Sequence, residues 1–178
     1  MEEMEDPTEQ LQEKIHELAE EEKKERWMFH VALSTAIIAV FAAISGLLGG
    51  DHANEAVMEQ MKASDQWSYY QAKSIKSEIA ASGNRILAAT GNKVSGSDTQ
   101  KLAVYEEQKK EIMDKAQEDE KASEAHLARH RILAQAVTFF QIAIAISAIS
   151  ILSRKRALWV MSMLIAVAGI FFLVKGII

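Results

Sequence analysis

The stretch WMFHVALSTAIIAVFAAISGLLGG, residues 27–50, runs for 24 residues without an Asp, Glu, Lys or Arg. An α-helix rises about 1.5 Å per residue and the hydrocarbon core of a bilayer is about 30 Å thick, so roughly 17 to 25 apolar residues cross it. Residues 132–153 and 157–174 meet the same test. The expected fold is therefore organised by three transmembrane helices. The mean hydropathy of -0.04 hides them, because it averages three apolar segments against two charged ones.

Outside these runs the charge is unevenly placed. Residues 1–26 carry 11 acids and 4 bases, residues 51–131 carry 14 acids and 12 bases, and no acid lies beyond Glu124. With one Pro, eight Gly and abundant Ala, Glu, Lys and Gln, intrinsic preference favours helix throughout and gives strands little support. The predicted class is all-α. The absence of Cys removes disulfides, thiolate metal sites and Cys nucleophiles. A net charge of -5 without a basic stripe argues against nucleic acid.

Working outward from the first span, residues 1–26 form an acidic N-terminal helix. Thr8 caps it after Pro7, and Leu11, Ile15 and Leu18 make one narrow apolar stripe. Residues 51–131 form an extramembrane, antiparallel helical hairpin of coiled-coil character. Ala72, Ile75, Ile79, Ser82, Ile86 and Ala89 recur at alternating spacings of three and four, the seam of a coiled coil. The stretch 91–98, GNKVSGSD, is the turn: Gly91 is the C-cap, and Ser97 with Gln100 lies in capping-box register for a second helix starting near Thr99. That helix runs into the second span, with Leu102, Tyr105, Ile112 and Ala116 as its seam. Such a seam is poor in Leu, so a lone hairpin is marginal and a homo-oligomer is expected.

Residues 154–156, Arg-Lys-Arg, make a short basic loop before the third span, and residues 175–178 form the tail. Short loops rich in Lys and Arg stay in the cytoplasm. This places the N-terminus in the cytoplasm and the hairpin on the far side. Lys23, Lys24 and Arg26 before the first span, against Asp51 behind it, agree, whereas Arg129 and Arg131 oppose. Trp27 and Trp159 then both sit at the cytoplasmic interface.

Four groups of residues are candidates for function. Ala42, Gly46 and Gly50, four apart, give one side of the first span almost no side chain, a face for helix packing. Gln135, Thr138 and Gln141 form a polar stripe in the second span, expected to face inward, either for interhelical hydrogen bonding or to line a hydrated conduit. His126 and His130 share a helical face at a spacing that lets two imidazoles hold one metal, and the hairpin brings Asp51, His52 and Glu55 opposite them. Histidines flanking a span also commonly face headgroups and water, so no metal or cofactor is assigned. Finally ASDQWSYYQAKSIK, residues 63–76, gathers Trp67, Tyr69, Tyr70, Lys73 and Lys76. These make a surface for a protein partner, or fill the space between the hairpin helices with Lys stems over the rings.

The charge-free first span with its Gly-rich end, the run from Ser64 to Lys76, the long charged helix and the two closing spans around a basic loop resemble a family of bacterial membrane proteins, domain of unknown function 4337. The resemblance covers nearly the whole chain and implies a bacterial inner-membrane location. It brings no activity, substrate or catalytic residue.

No Gly-rich phosphate loop, matched nucleophile and base, or apolar carboxylate pair is present. The leading expectation is a non-enzymatic, homo-oligomeric structural or scaffolding protein in contact with membrane lipid. The alternatives are an oligomeric channel or transport component built around the polar stripe, and a metal-binding sensor using His126 and His130.

Overall fold

The computed structural model describes residues 7–93 and 95–178, with side chains for His16 and from Glu25 onward except Val94. It contains three α-helices, α1 (Pro7–Ala89), α2 (Gly96–Ser153) and α3 (Arg156–Ile177). No strand occurs among the described residues, and the fold is all-α. Each helix contains a segment long and apolar enough to cross a membrane. The expected stripe of Leu11, Ile15 and Leu18 and the Thr8 cap fall on side chains outside the described ones.

The length of α1, 83 residues, follows from the absence of any Pro between Pro7 and Ala89. Its end is a Schellman cap: Gly91 sits in the left-handed region at φ 77, its N–H donates to Ala88 O (3.2 Å), and the Asn92 N–H donates to Leu87 O (3.0 Å). The helix α2 starts at Gly96, earlier than the expected Thr99. Ser95 is the reason, because its carbonyl accepts from the Asp98 and Thr99 N–H groups and its Oγ accepts from the Ser97 N–H.

The chain divides into two compact units, residues 1–48 with 132–178, and residues 49–131. The first is a three-helix bundle. Its buried positions recur at three and four: Leu133, Ala136, Phe140, Ala143, Ser147 and Ser150 on α2, and Ser162, Ala166, Gly169, Leu173 and Gly176 on α3. On α1, Val31, Ile38 and Ser45 repeat every seven residues. A seven-residue repeat keeps one face of a helix against its neighbour at a shallow crossing angle. Small residues dominate this interior, so backbones approach closely. A Cβ on Gly169 would lie 2.7 Å from Phe140 Cε1, and one on Gly176 would lie 2.7 Å from Leu133 Cδ2. Phe41 stacks on Phe140 and Phe139 on Phe172.

The bundle corrects two expectations. Ala42 packs partly against the core, but Gly46 and Gly50 face open space, whereas Gly169 and Gly176 of α3 press against side chains of α2. Gln135, Thr138 and Gln141 do not face inward; all three are exposed. The opposite side of α2, from Leu133 to Ser150, fills the bundle, and Thr138 Oγ turns back onto Ala134 O (2.9 Å).

The second unit is an antiparallel pair of helical strands, 49–89 and 96–131. Partners run inversely along it: Ala56 with Ser123, Trp67 with Glu120, Lys73 with Gln108, Ser77 with Glu106. Leu102, Tyr105, Ile112 and Ala116 lie in the contact. The α1 seam is not the expected one. Ile75, Ile79 and Ile86 are 61, 68 and 64% exposed, and the packed line runs through Ala56, Ala63, Tyr70, Ser77 and Asn84, also seven apart. Small side chains at Ala56, Ala63 and Ser77 let the strands come close enough for interstrand hydrogen bonds, which the branched isoleucines would hold apart.

Candidate functional site

The two strands of the second unit bring together His52 and Glu55 of α1 and His126 of α2. His52 and Glu55 stand three apart on one helical face, so both side chains lean toward the facing strand. A hydrogen bond joins the Nδ1 atoms of His52 and His126 (3.0 Å), and the rings lie 5.2 Å apart, centroid to centroid. His126 Nε2 lies 3.1 Å from Glu55 Oε2. The three form one chain, carboxylate to imidazole to imidazole. His126 is largely shielded while the Glu55 side chain is 59% exposed. One ligand atom from each of the three lies within 4.8 Å of the others.

The expected pairing of His126 with His130 does not form. His130 Nδ1 instead donates to the carbonyl of Gly49 (2.7 Å). Asp51 is exposed and lies outside the group. The i, i+4 spacing put both histidines on the α2 face that meets α1, but each finds its own height on the facing strand, about a helical turn apart.

The five residues expected as a partner surface are divided. Trp67, Tyr70 and Lys73 turn into the contact between strands. Trp67 Nε1 donates to Glu120 Oε1 (2.8 Å), and its ring meets Tyr70 edge to face at 5.6 Å. Lys73 Nζ donates to Gln108 Oε1 (2.8 Å) and lies between the rings of Tyr69 (5.4 Å) and Tyr105 (5.5 Å). Only Tyr69 and Lys76 face outward. An indole N–H and an ammonium half-buried in a helical contact need acceptors, and Glu120 and Gln108 supply them. Those partners had no signal in the sequence beyond lying on the facing strand.

Electrostatics in this unit are mostly local. Ser77 Oγ donates to Glu106 Oε1 (2.8 Å), and that hydrogen bond, with a second from Lys109, holds the Glu106 carboxyl below its ordinary 4.5. Pairs such as Lys62–Glu59 and Lys115–Glu111 decorate single helices and add little.

In the bundle unit the turn between α2 and α3 lies beside the start of the first apolar run. The Arg156 guanidinium sits 5.9 Å over the Trp27 ring, while the buried Trp27 indole N–H has no acceptor among the described residues. Trp159 Nε1 donates to Ser34 Oγ (3.1 Å), and Thr35 bonds Ser147.

Two surfaces have no partner among the described residues. One is the Ala72, Ile75, Ile79, Ser82 and Ile86 line of the second unit. The other is the Gln135, Thr138 and Gln141 line of the bundle, set among exposed apolar side chains such as Ile142 and Ile149. No curated protein and no solved structure matches the chain. A family model does, over residues 27–178: the chain belongs to the family described as domain of unknown function DUF4337.

Proposed function

We propose that this chain is a non-enzymatic scaffolding protein of the bacterial inner membrane that works as a homo-oligomer. Its N-terminus is cytoplasmic, its three apolar runs span the bilayer, and the 51–131 hairpin is periplasmic. The observation that carries the reading is the second seam on α1. Ala72, Ile75, Ile79, Ser82 and Ile86 recur at alternating spacings of three and four, and all but the half-buried Ser82 stand open to solvent. A helix bearing two seams satisfies one within the hairpin and the other by assembly.

The occupant of the second seam is another copy, and the polar stripe supports that choice. In lipid, Gln135, Thr138 and Gln141 need partners that hydrocarbon does not supply. A carboxamide both donates and accepts, so two copies of the same stripe satisfy one another. The wide belt of exposed apolar side chains, including Phe29, Leu47, Leu164 and Phe171, supports a lipid environment for the bundle. The nearness of Arg156 to Trp27 fits a basic loop and first-span entrance on one face of the membrane.

The chain has no Cys, so a single Ile79→Cys substitution gives a clean test. Oxidation in native membranes should yield a disulfide-linked dimer, with Ala63→Cys, buried in the hairpin, as the negative control. A strictly monomeric Ile79→Cys protein in membranes, in nanodiscs and in mild detergent would end the proposal. A reporter fused at Ser95 should be inactive in the cytosol and active in the periplasm.

A second reading, a conduit lined by Gln135, Thr138 and Gln141 of several copies, draws on the outward direction of the same stripe. It predicts conductance in planar bilayers that changes in Gln141→Leu.

A further inference from the structure

We propose that His52, Glu55 and His126 form a binding site for a divalent transition-metal ion of the zinc class. The proposal stands apart from the scaffolding reading, because the three donors lie within one hairpin and need no second copy.

Two imidazoles and one carboxylate are a donor set that suits zinc, a borderline-soft ion satisfied by nitrogen and oxygen in tetrahedral array. Bonds of about 2.0–2.2 Å in that array separate neighbouring ligand atoms by roughly 3.3–3.5 Å. The group already approaches these spacings. The two Nδ1 atoms are 3.0 Å apart, Glu55 Oε2 lies 3.1 Å from the other ring nitrogen of His126, Nε2, and one ligand atom from each residue falls within 4.8 Å of the others. Gathering the carboxylate and the two imidazoles onto one ion takes side-chain rotation, and the 59% exposed Glu55 side chain has room to turn.

The placement also fits. His52 and Glu55 are a His-x-x-Glu pair, the i, i+3 arrangement by which one helix offers two ligands to the same ion. His126 comes from the other strand, so the ion bridges the two. At present one ring's Nδ1–H bonds the other ring's Nδ1; for the ion to take that proton's place the donating ring turns to its Nε2–H tautomer through exchange with solvent, so that each neutral imidazole presents a lone pair. The exposed Glu55 carboxylate gives the ion a route in, and water completes the fourth position. His130 lies outside the group of three, with its Nδ1–H bonded to Gly49 O.

The test uses tag-free full-length protein in nanodiscs, stripped with chelator and titrated with Zn²⁺ against a chromophoric indicator, with the retained metal counted by mass spectrometry. One Zn²⁺ per chain is expected. His126→Ala and His52→Ala should each weaken it at least tenfold, Glu55→Gln should weaken it, His130→Ala should leave it unchanged, and Mg²⁺ should not compete. Co²⁺ should give the visible spectrum of a four-coordinate ion that disappears in Glu55→Gln, whose exposed side chain leaves folding intact. Absence of stoichiometric Zn²⁺, equal affinity in the His52→Ala/His126→Ala double variant, or loss of binding in His130→Ala would each overturn the assignment.

Discussion

Replacing Ile75 by Ser probes the proposed assembly seam and little else. Ile and Ser have similar helix propensity, so the strand itself is not weakened. The side chain is 61% exposed in the single chain, and full burial of an Ile is worth about 1.5–3 kcal/mol. Covering the remaining surface in an assembly therefore returns about 1–2 kcal/mol per chain. Two facing copies lose about 2–4 kcal/mol, a weakening of about 30- to 700-fold at 1.4 kcal/mol per tenfold. A dye on Ser95→Cys, in a chain with no other Cys, reports association by energy transfer as protein is diluted into lipid vesicles. The monomer fold should change by less than about 0.5 kcal/mol, as for other exposed sites. Ile112→Ser is the contrasting control. That residue is 6% exposed inside the hairpin, and its truncation should cost the fold about 2–5 kcal/mol. Superimposable dilution curves for wild type and Ile75→Ser, with Ile112→Ser destabilised as expected, would refute the second seam.

Gly169→Ala should destabilise the bundle, because its Cβ would press on the fully buried Phe140 ring at 2.7 Å. Overpacking of about 1–3 kcal/mol outweighs the roughly 1 kcal/mol gained in helix propensity, and Phe140→Leu should couple favourably to it in a double-mutant cycle of thermal unfolding. Arg154, at φ 54 in the turn before α3, pays about 1–2 kcal/mol for a left-handed backbone. Arg154→Gly should therefore raise stability by roughly 0.5–1 kcal/mol after the added chain entropy of Gly, and a lowered melting temperature would count against this. The Glu106 carboxyl, held low chiefly by Ser77 and then by Lys109, stabilises the folded hairpin above its ordinary 4.5. That contribution fades as pH falls below 4.5 through the depressed folded value. Ser77→Ala should bring the midpoint, followed by carbon-13 NMR, back up toward 4.5, and an unmoved midpoint would contradict the hydrogen bond.

The helical class, the three apolar runs and the turn at Gly91 were legible because they depend on local properties: length without charge, absence of Pro, a Gly that accepts positive φ. Seam residues on α2 were also legible, since Leu102 and Tyr105 are half-buried in the contact and Ile112 is buried. On α1 the period was legible and the phase was not. Ile75 and Ser77 belong to two lines of equal spacing on different faces, and hydrophobicity favours the isoleucine line. Packing chose the other, because close approach depends on small side chains and on acceptors such as Glu106 and Glu120 from a strand far away in sequence. The same blindness affected Gln135, Thr138 and Gln141: polarity in an apolar run says that a partner is needed, not that the partner is in the same chain. For the histidines, spacing along α2 suggested His126 with His130, whereas the geometry across strands selected His126 with His52.

The contact of Phe140 with Gly169 bears on permeation. Where a single added methyl already collides with the ring, a file of water or a partly hydrated ion, which needs several ångströms of clearance, has no way down the axis of one bundle. On the proposed membrane assembly, traffic of solutes would therefore follow a path walled by neighbouring copies, and permeability would depend on how many subunits close the circle.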